Sequence, residues 1–462
     1  MPFSQNQVTV ALDGSADYST ITSALKAVSP QTTILIKSGI YHETLRLTQS
    51  VRLVADWTNS SRVQVNGGDV SCLCMQCDFA SVEGIQFRNH ALDQPVIDIE
   101  QGCLTLLECE IQAKCHVGIA VHGSTTKPLI RACHIHDGGN AGLFFYDHAQ
   151  GEVEQCLISG QAGPGVGITQ GANPTLRNCT IRNGQNVGLF VFDEGFGHLE
   201  QCDIFGQAEA NVSITRLGNP TLVQCQIYDG HEQGLLVYNS GMGRLIDCNM
   251  ARHQLAEVTI MTQGNPTLSG CILREGKDAG LFVHQDGLGR IENCELFGHV
   301  GPEIGIGTGG NPTIRDCHVH DSQNSGVFVF EQGRGHVENC IIERHGLNGV
   351  AIKTGANPTI RACLIRQATE EGVFVYQQGR GLILACHLSQ NGTHGFGVRG
   401  GDWPRFERCQ IQQNPRFAGH IYDGGRVQVV DCTLSENLAG EWDISADSQL
   451  ELEHSRMLKV EG

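Results

Sequence analysis

The sequence predicts an all-β protein, a single-stranded right-handed parallel β-helix of about 17–19 coils with ~23 residues each and a short N-terminal capping helix. Three observations carry this. Cysteine recurs at Cys133, Cys156, Cys179, Cys202, Cys225, Cys248, Cys271, Cys294, Cys317, Cys340, Cys363, Cys386, Cys409 and Cys432, always twenty-three residues apart. Cys109 and Ile85 extend the series backward in steps of twenty-four, and Ser455 extends it forward by twenty-three. Asn-Pro-Thr starts at Asn173, Asn219, Asn265, Asn311 and Asn357, always forty-six apart, with Lys127-Pro128 and Trp403-Pro404 in the same phase. The unit is therefore a pair of coils, NPTLRNCTIRNGQNVGLFVFDEG followed by FGHLEQCDIFGQAEANVSITRLG. Finally, each coil reads as two short alternating segments, such as Cys179-Thr180-Ile181 and Leu189-Phe190-Val191-Phe192, separated by Gly, Asn and Asp.

The coil is too short for helix-pair repeats of roughly 33–47 residues, and the leucine and asparagine pattern of a leucine-rich repeat is missing. Residues 1–50 are expected to form the N-terminal cap and first coil, and 51–462 one continuous β-helix. Within the cap, Ser19–Val28 places Ile21, Leu25 and Val28 at helical spacing. The last stretch, Glu451–Lys459, is rich in charge, which protects an open sheet edge from pairing with another chain.

Period-2 parity sets the inward side. Each ladder cysteine has an apolar residue two positions on, as in Cys179/Ile181, so both point into the core. Three readings follow: a small apolar residue that stacks on itself, disulfides between adjacent coils, or a soft-metal site. Zinc needs four converging ligands, and a linear ladder does not converge. Cys72, Cys74 and Cys77 form the only local cluster with metal-like spacing, with Cys103, Cys109 and Cys115 as candidate further ligands.

The same parity sends Phe190 and Phe192 outward. Their counterparts are Phe144/Tyr146, Leu236/Tyr238, Phe282/His284, Phe328/Phe330, Phe374/Tyr376 and His420/Tyr422. In the intervening coils these positions are mostly small or polar: Gly167/Thr169, Ser213/Thr215, Thr259/Met261, Gly305/Gly307, Ala351/Lys353 and Gly397/Arg399. Two readings stand side by side. Each ring covers the small residues beside it, or the rings form a docking surface rimmed by Asp147, Asp193, Glu194, Asp286, Glu331 and Asp423.

Composition narrows the partners. Acids outnumber bases 49 to 31, giving a net charge of −18, and no basic run appears, so neither nucleic acid nor an anionic membrane is expected as a partner. Overall charge also disfavours acidic polysaccharides. The opening MPFSQNQVTV lacks a basic region followed by an apolar one, and a cytoplasmic location with reduced thiols is the expectation. Acids on turns, such as Asp137, Asp229, Glu275 and Asp321, recur coil after coil, which points to turn chemistry rather than to a catalytic pair. His134/His136 and His318/His320 have Arg, Tyr, Thr or Gln as equivalents and read as variable surface positions.

The opening Asp13-Gly14-Ser15-Ala16-Asp17-Tyr18-Ser19-Thr20-Ile21, followed by Gly39-Ile40-Tyr41-His42-Glu43, resembles the start of pectinesterases and other pectin-lyase-like β-helix proteins. The repeats from about 125 to 440, with NPTLRNCTIRNG, GLFVFDEGFG and LEQCDIFGQA, are similar to the carbohydrate-binding and sugar-hydrolase (CASH) β-helix of F-box ubiquitin-ligase subunits. They are similar, less closely, to periplasmic copper-binding β-helix proteins. The chain departs from the F-box group in lacking an F-box and a zinc finger, and in placing Cys where that family mostly places Asn. It also lacks an Asp-Asp pair, a Gly-His-Gly, the Asp-Pro-His-Asp of uronate epimerases and an Asp-Phe-Ile-Phe-Gly type segment. The resemblance implies the fold and a binding role. The expected function is thus a non-catalytic scaffold that takes a protein partner through Phe144, Tyr146, Phe190, Phe192, Tyr238, Phe282, Phe328, Phe330, Phe374 and Tyr376, with Asp147, Asp193 and Glu331 alongside. The rival is a carbohydrate binder or a polysaccharide lyase or hydrolase, and a third reading is metal handling through the thiols. No cofactor and no catalytic residue are assigned.

Overall fold

The computed structural model describes residues 6–56, 62–114, 116–400 and 403–458. The protein is an all-β parallel β-solenoid of about 19 turns of ~23 residues. The described residues contain 57 short strands and one helix, α1 (Ile21–Ala27). Two compact units, residues 1–231 and 232–462, are described separately below.

In the first unit, α1 begins at Thr20, whose side chain accepts from the Ser23 N–H. Two further N–H groups of its first turn, those of Ile21 and Thr22, donate to the Glu43 carboxylate at 3.0 and 2.7 Å. Such capping stabilises a short helix whose first-turn donors otherwise lack partners. Ile21, Ala24 and Leu25 are buried, and Val28 is the C-cap rather than a core position. Tyr41 is fully buried, and its hydroxyl donates to the Lys37 carbonyl at 2.8 Å. The opening motif thus serves the cap.

Each coil carries three strands, not the two that alternation suggests. In the coil starting at Asn173 these are Thr175–Arg177, Thr180–Arg182 and Leu189–Val191. The overlooked strand has one buried side chain, Leu176, between two polar ones, too little to show a period. All three strands pair in parallel with the next coil in strict register: Leu176 with Leu199, Ile181 with Ile204, Leu189 with Val212 and Phe190 with Ser213. Every coil therefore feeds a first, a second and a third sheet. The second unit repeats the plan, as in Thr313–Arg315, His318–His320 and Val327–Val329.

The corner between first and second sheets is made by one left-handed residue before each ladder position, for example Asn178 (φ 51°), Gln201 (φ 52°) and Asp316 (φ 56°). The next residue, the cysteine, is buried, and its thiol faces two carbonyls. Cys179 Sγ lies 3.3 Å from the Arg177 oxygen and 3.4 Å from the Val153 oxygen of the preceding coil. Cys202, Cys363 and Cys409 repeat the arrangement. Ser455 does the same with its hydroxyl, 3.2 Å from the carbonyls of both Val429 and Glu453. So the ladder position is a small buried residue that also satisfies backbone at a corner. All described cysteines are free thiols.

A second ladder, absent from the sequence reading, seals the corner after the second sheet. In the first unit Gln161 and Gln207 accept from the N–H of Gly138 and Gly184 and donate to the carbonyls of Ile135 and Ile181. In the second unit His345, Asn391 and Asn437 make the equivalent bonds. At the same step His253 and His299 are fully buried and pair with Glu257 and Glu303. Buried polar groups are as a rule hydrogen-bonded; the Gln, Asn and His345 sites meet that condition through backbone, His253 and His299 pair with a carboxylate, and His299 Nε2 has no partner among the described residues.

At the C-terminal end, Gln449–Glu453 pairs with Arg426–Val430 and leaves its acids exposed. Lys459 lies outside the described residues.

Candidate functional site

The outward face of the third sheet carries the aromatic positions, as parity predicts. In the first unit Phe144, Tyr146, Phe190 and Phe192 are half-buried. Phe190 and Phe192 stack at 4.5 Å, Phe144 and Tyr146 meet tilted at 5.5 Å, and Phe144 lies 6.5 Å from Phe192. In the second unit the pairs Phe282/His284, Phe328/Phe330, Phe374/Tyr376 and His420/Tyr422 are 4.4, 4.9, 4.7 and 4.2 Å apart. Tyr238 is half-buried on the same strand face.

The covering role is real. A β-carbon at Gly167 would lie 2.6 Å from Phe144 Cδ2, and one at Gly307 would lie 2.8 Å from Phe330 Cε2. Phe144 and Phe330 therefore rest on a glycine of the adjacent coil, while Phe190 and Phe328 lie beside Ser213 and Ala351. Cations complete some of the packing: Arg216 sits 5.2 Å from the Phe192 ring, and Lys353 lies 5.2 Å from Phe328 and 5.9 Å from Tyr376.

The expected rim acids occupy tight turns. Asp193 (φ 43°) and Glu194 (φ 62°) are the two central residues of a turn closed by Gly195 N–H to the Phe192 carbonyl at 2.9 Å. Two successive positive φ values define a type I′ turn, which favours Asp, Asn and Gly. Asp147/His148 and Glu331/Gln332 repeat it. Asp193 pairs with Arg216 at 2.7 Å, Glu331 accepts from Thr308 Oγ1 at 3.0 Å, and Asp147 is exposed.

Near Asp98 and Tyr146 this face is concave. A cleft of about 410 Å³ is lined by Asp93, Asp98, His116, Asn140, Phe144 and Tyr146, with Val117 and Ala120 as its floor. Asp98 stands on the outward side of its strand, opposite Ala120 in the next coil. It accepts from His122 Nε2 at 3.0 Å, and the His122 ring stacks on Tyr146 at 4.9 Å. The Asp98 hydrogen bond holds the His122 pKa above its usual value. Burial pushes the Tyr146 hydroxyl up, with Asp98, Asp147 and Glu100 adding to it. His116 Nδ1 is buried without a hydrogen-bond partner among the described residues.

Of the residues that line this cleft, the sequence singles out Phe144 and Tyr146 as outward aromatics and does not single out Asp93, Asp98 or His116. Their signal was a break in the period: the steps of twenty-four between Ile85, Cys109 and Cys133, and Lys-Pro-Leu where the next five pairs have Asn-Pro-Thr.

The thiol cluster is spread over different surroundings. Cys72 Sγ is 3.0 Å from the Arg88 carbonyl and accepts from Gly67 N–H at 3.3 Å, and burial pushes its pKa up to about 12. Cys74 stands in register with Asp98 on the third sheet, and Cys77 Sγ faces Met75 Sδ at 3.8 Å. Cys103 is half-exposed, Cys109 belongs to the ladder, and Cys115 lies outside the described residues.

Residues 71–210, 197–311 and 302–456 match the family model described as the right handed beta helix region. The chain belongs to that family. Among solved structures, it is similar to the bacteriophage Phi29 gene product 12 N-terminal fragment, with 11% identity, coverage of 94% of this chain and 89% of that one, and a TM-score of 0.52. A pectate lyase is 15% identical over 55% of this chain and 70% of that one, with a TM-score of 0.39. The A-module of a mannuronan C-5 epimerase from Azotobacter vinelandii is 13% identical over 95% and 93%, with a TM-score of 0.31. At such identities the likeness is one of fold.

Proposed function

We propose that the protein binds a carbohydrate chain on the outward face of the third sheet, with the Asp98–Tyr146 cleft as the anchoring subsite. The observation that carries this is the combination of concavity, aromatic faces and polar groups in one place. Its volume falls in the range of small-ligand sites, which pair apolar walls with a few aimed polar groups. Tyr146 and Phe144 offer flat surfaces to sugar rings, while Asp93, Asp98 and Asn140 offer hydrogen-bonding groups to hydroxyls.

Charge selects the sugar. Asp93, Asp98, Glu100 and Asp147 surround the cleft, and the whole chain carries −18. A polyuronate would meet like charge at close range, which disfavours binding. The reading is therefore a neutral or amino-sugar glycan.

A glycan array followed by retention on immobilised polysaccharides tests this. Retention of a neutral or amino-sugar polymer, weakened about ten-fold or more by Tyr146→Ala, supports it; loss of a stacking ring costs on the order of 1–2 kcal/mol. Binding of polyuronates alone, or retention untouched by both Tyr146→Ala and Asp98→Asn, would overturn it. Incubating the retained polymer with the protein and analysing chain length reads out turnover in the same assay.

A second reading, a protein partner, is favoured by one observation. Half-buried ring pairs continue beyond the cleft at Phe190/Phe192, and recur in the second unit. Aromatic anchors of that kind suit a protein interface.

A further inference from the structure

On the outward face of the second sheet, in the second unit, Glu295, His318 and His320 converge. Glu295 and His318 are register partners on adjacent strands, and His320 is two residues along, on the same face. One ligand atom from each lies within 4.8 Å of the other two. The Glu295 Oε1 is 3.2 Å from His320 Nε2 and 4.0 Å from His318 Nδ1. Two ligands of one tetrahedral zinc ion, each at about 2.0–2.2 Å, are about 3.3–3.6 Å apart, so Glu295 and His320 are close to that spacing and the His318 ring has to move inward by roughly an ångström.

The second ring nitrogen of each histidine is already held. His320 Nδ1 is 2.6 Å from Asp321 Oδ2, and His318 Nε2 is 3.1 Å from Glu343 Oε1. A carboxylate accepting from one imidazole nitrogen fixes the tautomer and turns the lone pair of the other toward a metal. Asp321 and Glu343 are in turn tied to Arg344, and Glu343 also to Arg366 at 2.6 Å. Arg344 Nη2 approaches His320 Nδ1 to 3.3 Å, on the side away from Glu295. Its charge is matched by the two carboxylates it contacts. Phe297 stacks on His320 at 5.0 Å and closes one flank.

A near-copy of the motif provides the contrast. His134, His136 and Glu110 hold the same positions in the first unit. There Glu110 is paired with Arg62 at 2.7 Å and Arg88 at 3.3 Å and accepts from Gln86 at 2.6 Å. Glu295 has no such basic partner among the described residues; its ion pairs are with His318 and His320.

We infer that Glu295, His318 and His320 form a surface site for a divalent first-row transition-metal ion of the zinc type, with two imidazoles and one carboxylate as protein ligands and remaining positions open to water or a ligand. Two imidazoles with one carboxylate suit such ions better than magnesium or calcium, which prefer all-oxygen shells.

The test uses the full-length protein, purified without metal, stripped with chelator and titrated calorimetrically with zinc chloride. A double variant His318→Gln/His320→Gln reproduces Gln410 and Gln412, which occupy the same two places in a later coil, so its fold is expected to hold; circular dichroism and thermal unfolding verify this. The expected result is one zinc site per chain that vanishes in this variant and survives His134→Gln/His136→Gln. Asp321→Asn should weaken it roughly ten-fold to a hundred-fold. Absence of zinc uptake by the parent protein, or uptake unchanged in His318→Gln/His320→Gln, overturns the assignment; the latter would place the ion elsewhere, on the thiols or on His134 and His136.

Discussion

At the scale of single residues, the two ladders show one physical solution reached with different side chains. Residues of both ladders bond a carbonyl of the coil before, as Cys179, Gln207, His345 and Ser455 do. Sulfur, hydroxyl, amide and imidazole all serve. Cys179→Ser should therefore change stability by less than about 1 kcal/mol, because Ser455 already shows the hydroxyl in this setting, whereas Cys179→Val should cost about 1–3 kcal/mol by leaving corner carbonyls unpartnered. Urea denaturation of the two variants decides between them. His345 gives the pH counterpart. It is buried, and burial holds its pKa down to about 4 against an ordinary 6.5. Above pH 6.5 it is neutral in both folded and unfolded chains, and its full contribution is present. As pH falls from 6.5 to 4 the unfolded chain takes the proton first, and roughly 3 kcal/mol is lost across that window. His345→Asn, matching Asn391, should remove that slope. Parallel stability curves for parent and variant between pH 4 and 7 would refute the argument.

At the scale of elements, the alternation of rings and small residues is a packing device. Gly167→Val should displace the Phe144 ring and cost about 1–3 kcal/mol, and pairing it with Phe144→Ala should restore most of the loss. A double-mutant cycle in urea measures the coupling, and additive effects would show that ring and glycine are independent. The cysteine period and the parity of Leu189 and Val191 made the second and third sheets and the outward aromatic face legible in the sequence. The first sheet was not, because Thr175-Leu176-Arg177 buries one side chain and leaves no period to count. The cleft was hidden for another reason. Asp98 aligns with Ala120 and Phe144, and His122 with Tyr146, but the coils here step by twenty-two and twenty-four residues instead of twenty-three, so the alignment is visible only in the strand register. The rim acids were legible as residues, and the structure adds that they sit in type I′ turns, which ask for the same side chains as a ligand rim.

At the scale of the whole molecule, the working unit is the coil pair. Deleting Asn265–Gly310, one full pair, joins Gly264 to Asn311 and keeps a ring coil beside a small-residue coil. Deleting Leu288–Gly310 alone sets Phe282 directly against Phe328 with no glycine between. In a repeat protein stability is close to a sum of unit and nearest-neighbour contributions. The forty-six-residue deletion is thus expected to remain soluble and cooperative, and the twenty-three-residue deletion to lose several kcal/mol or aggregate. Soluble yield and urea midpoints compare them, and equal behaviour of both deletions would remove the pair as the unit.

The evenly spaced free thiols carry a consequence for how the protein fails. While the coils are closed, the ladder sulfurs are buried and shielded from oxidants. Once a segment opens, thiols along a flexible chain meet in many combinations, and any bridge between non-neighbours blocks return to the native register. Refolding from urea should then be complete under reductant and fall away in air, with the shortfall growing with time spent unfolded. Survival of this protein outside a reducing environment becomes a matter of how seldom it opens rather than of how stable it is when closed.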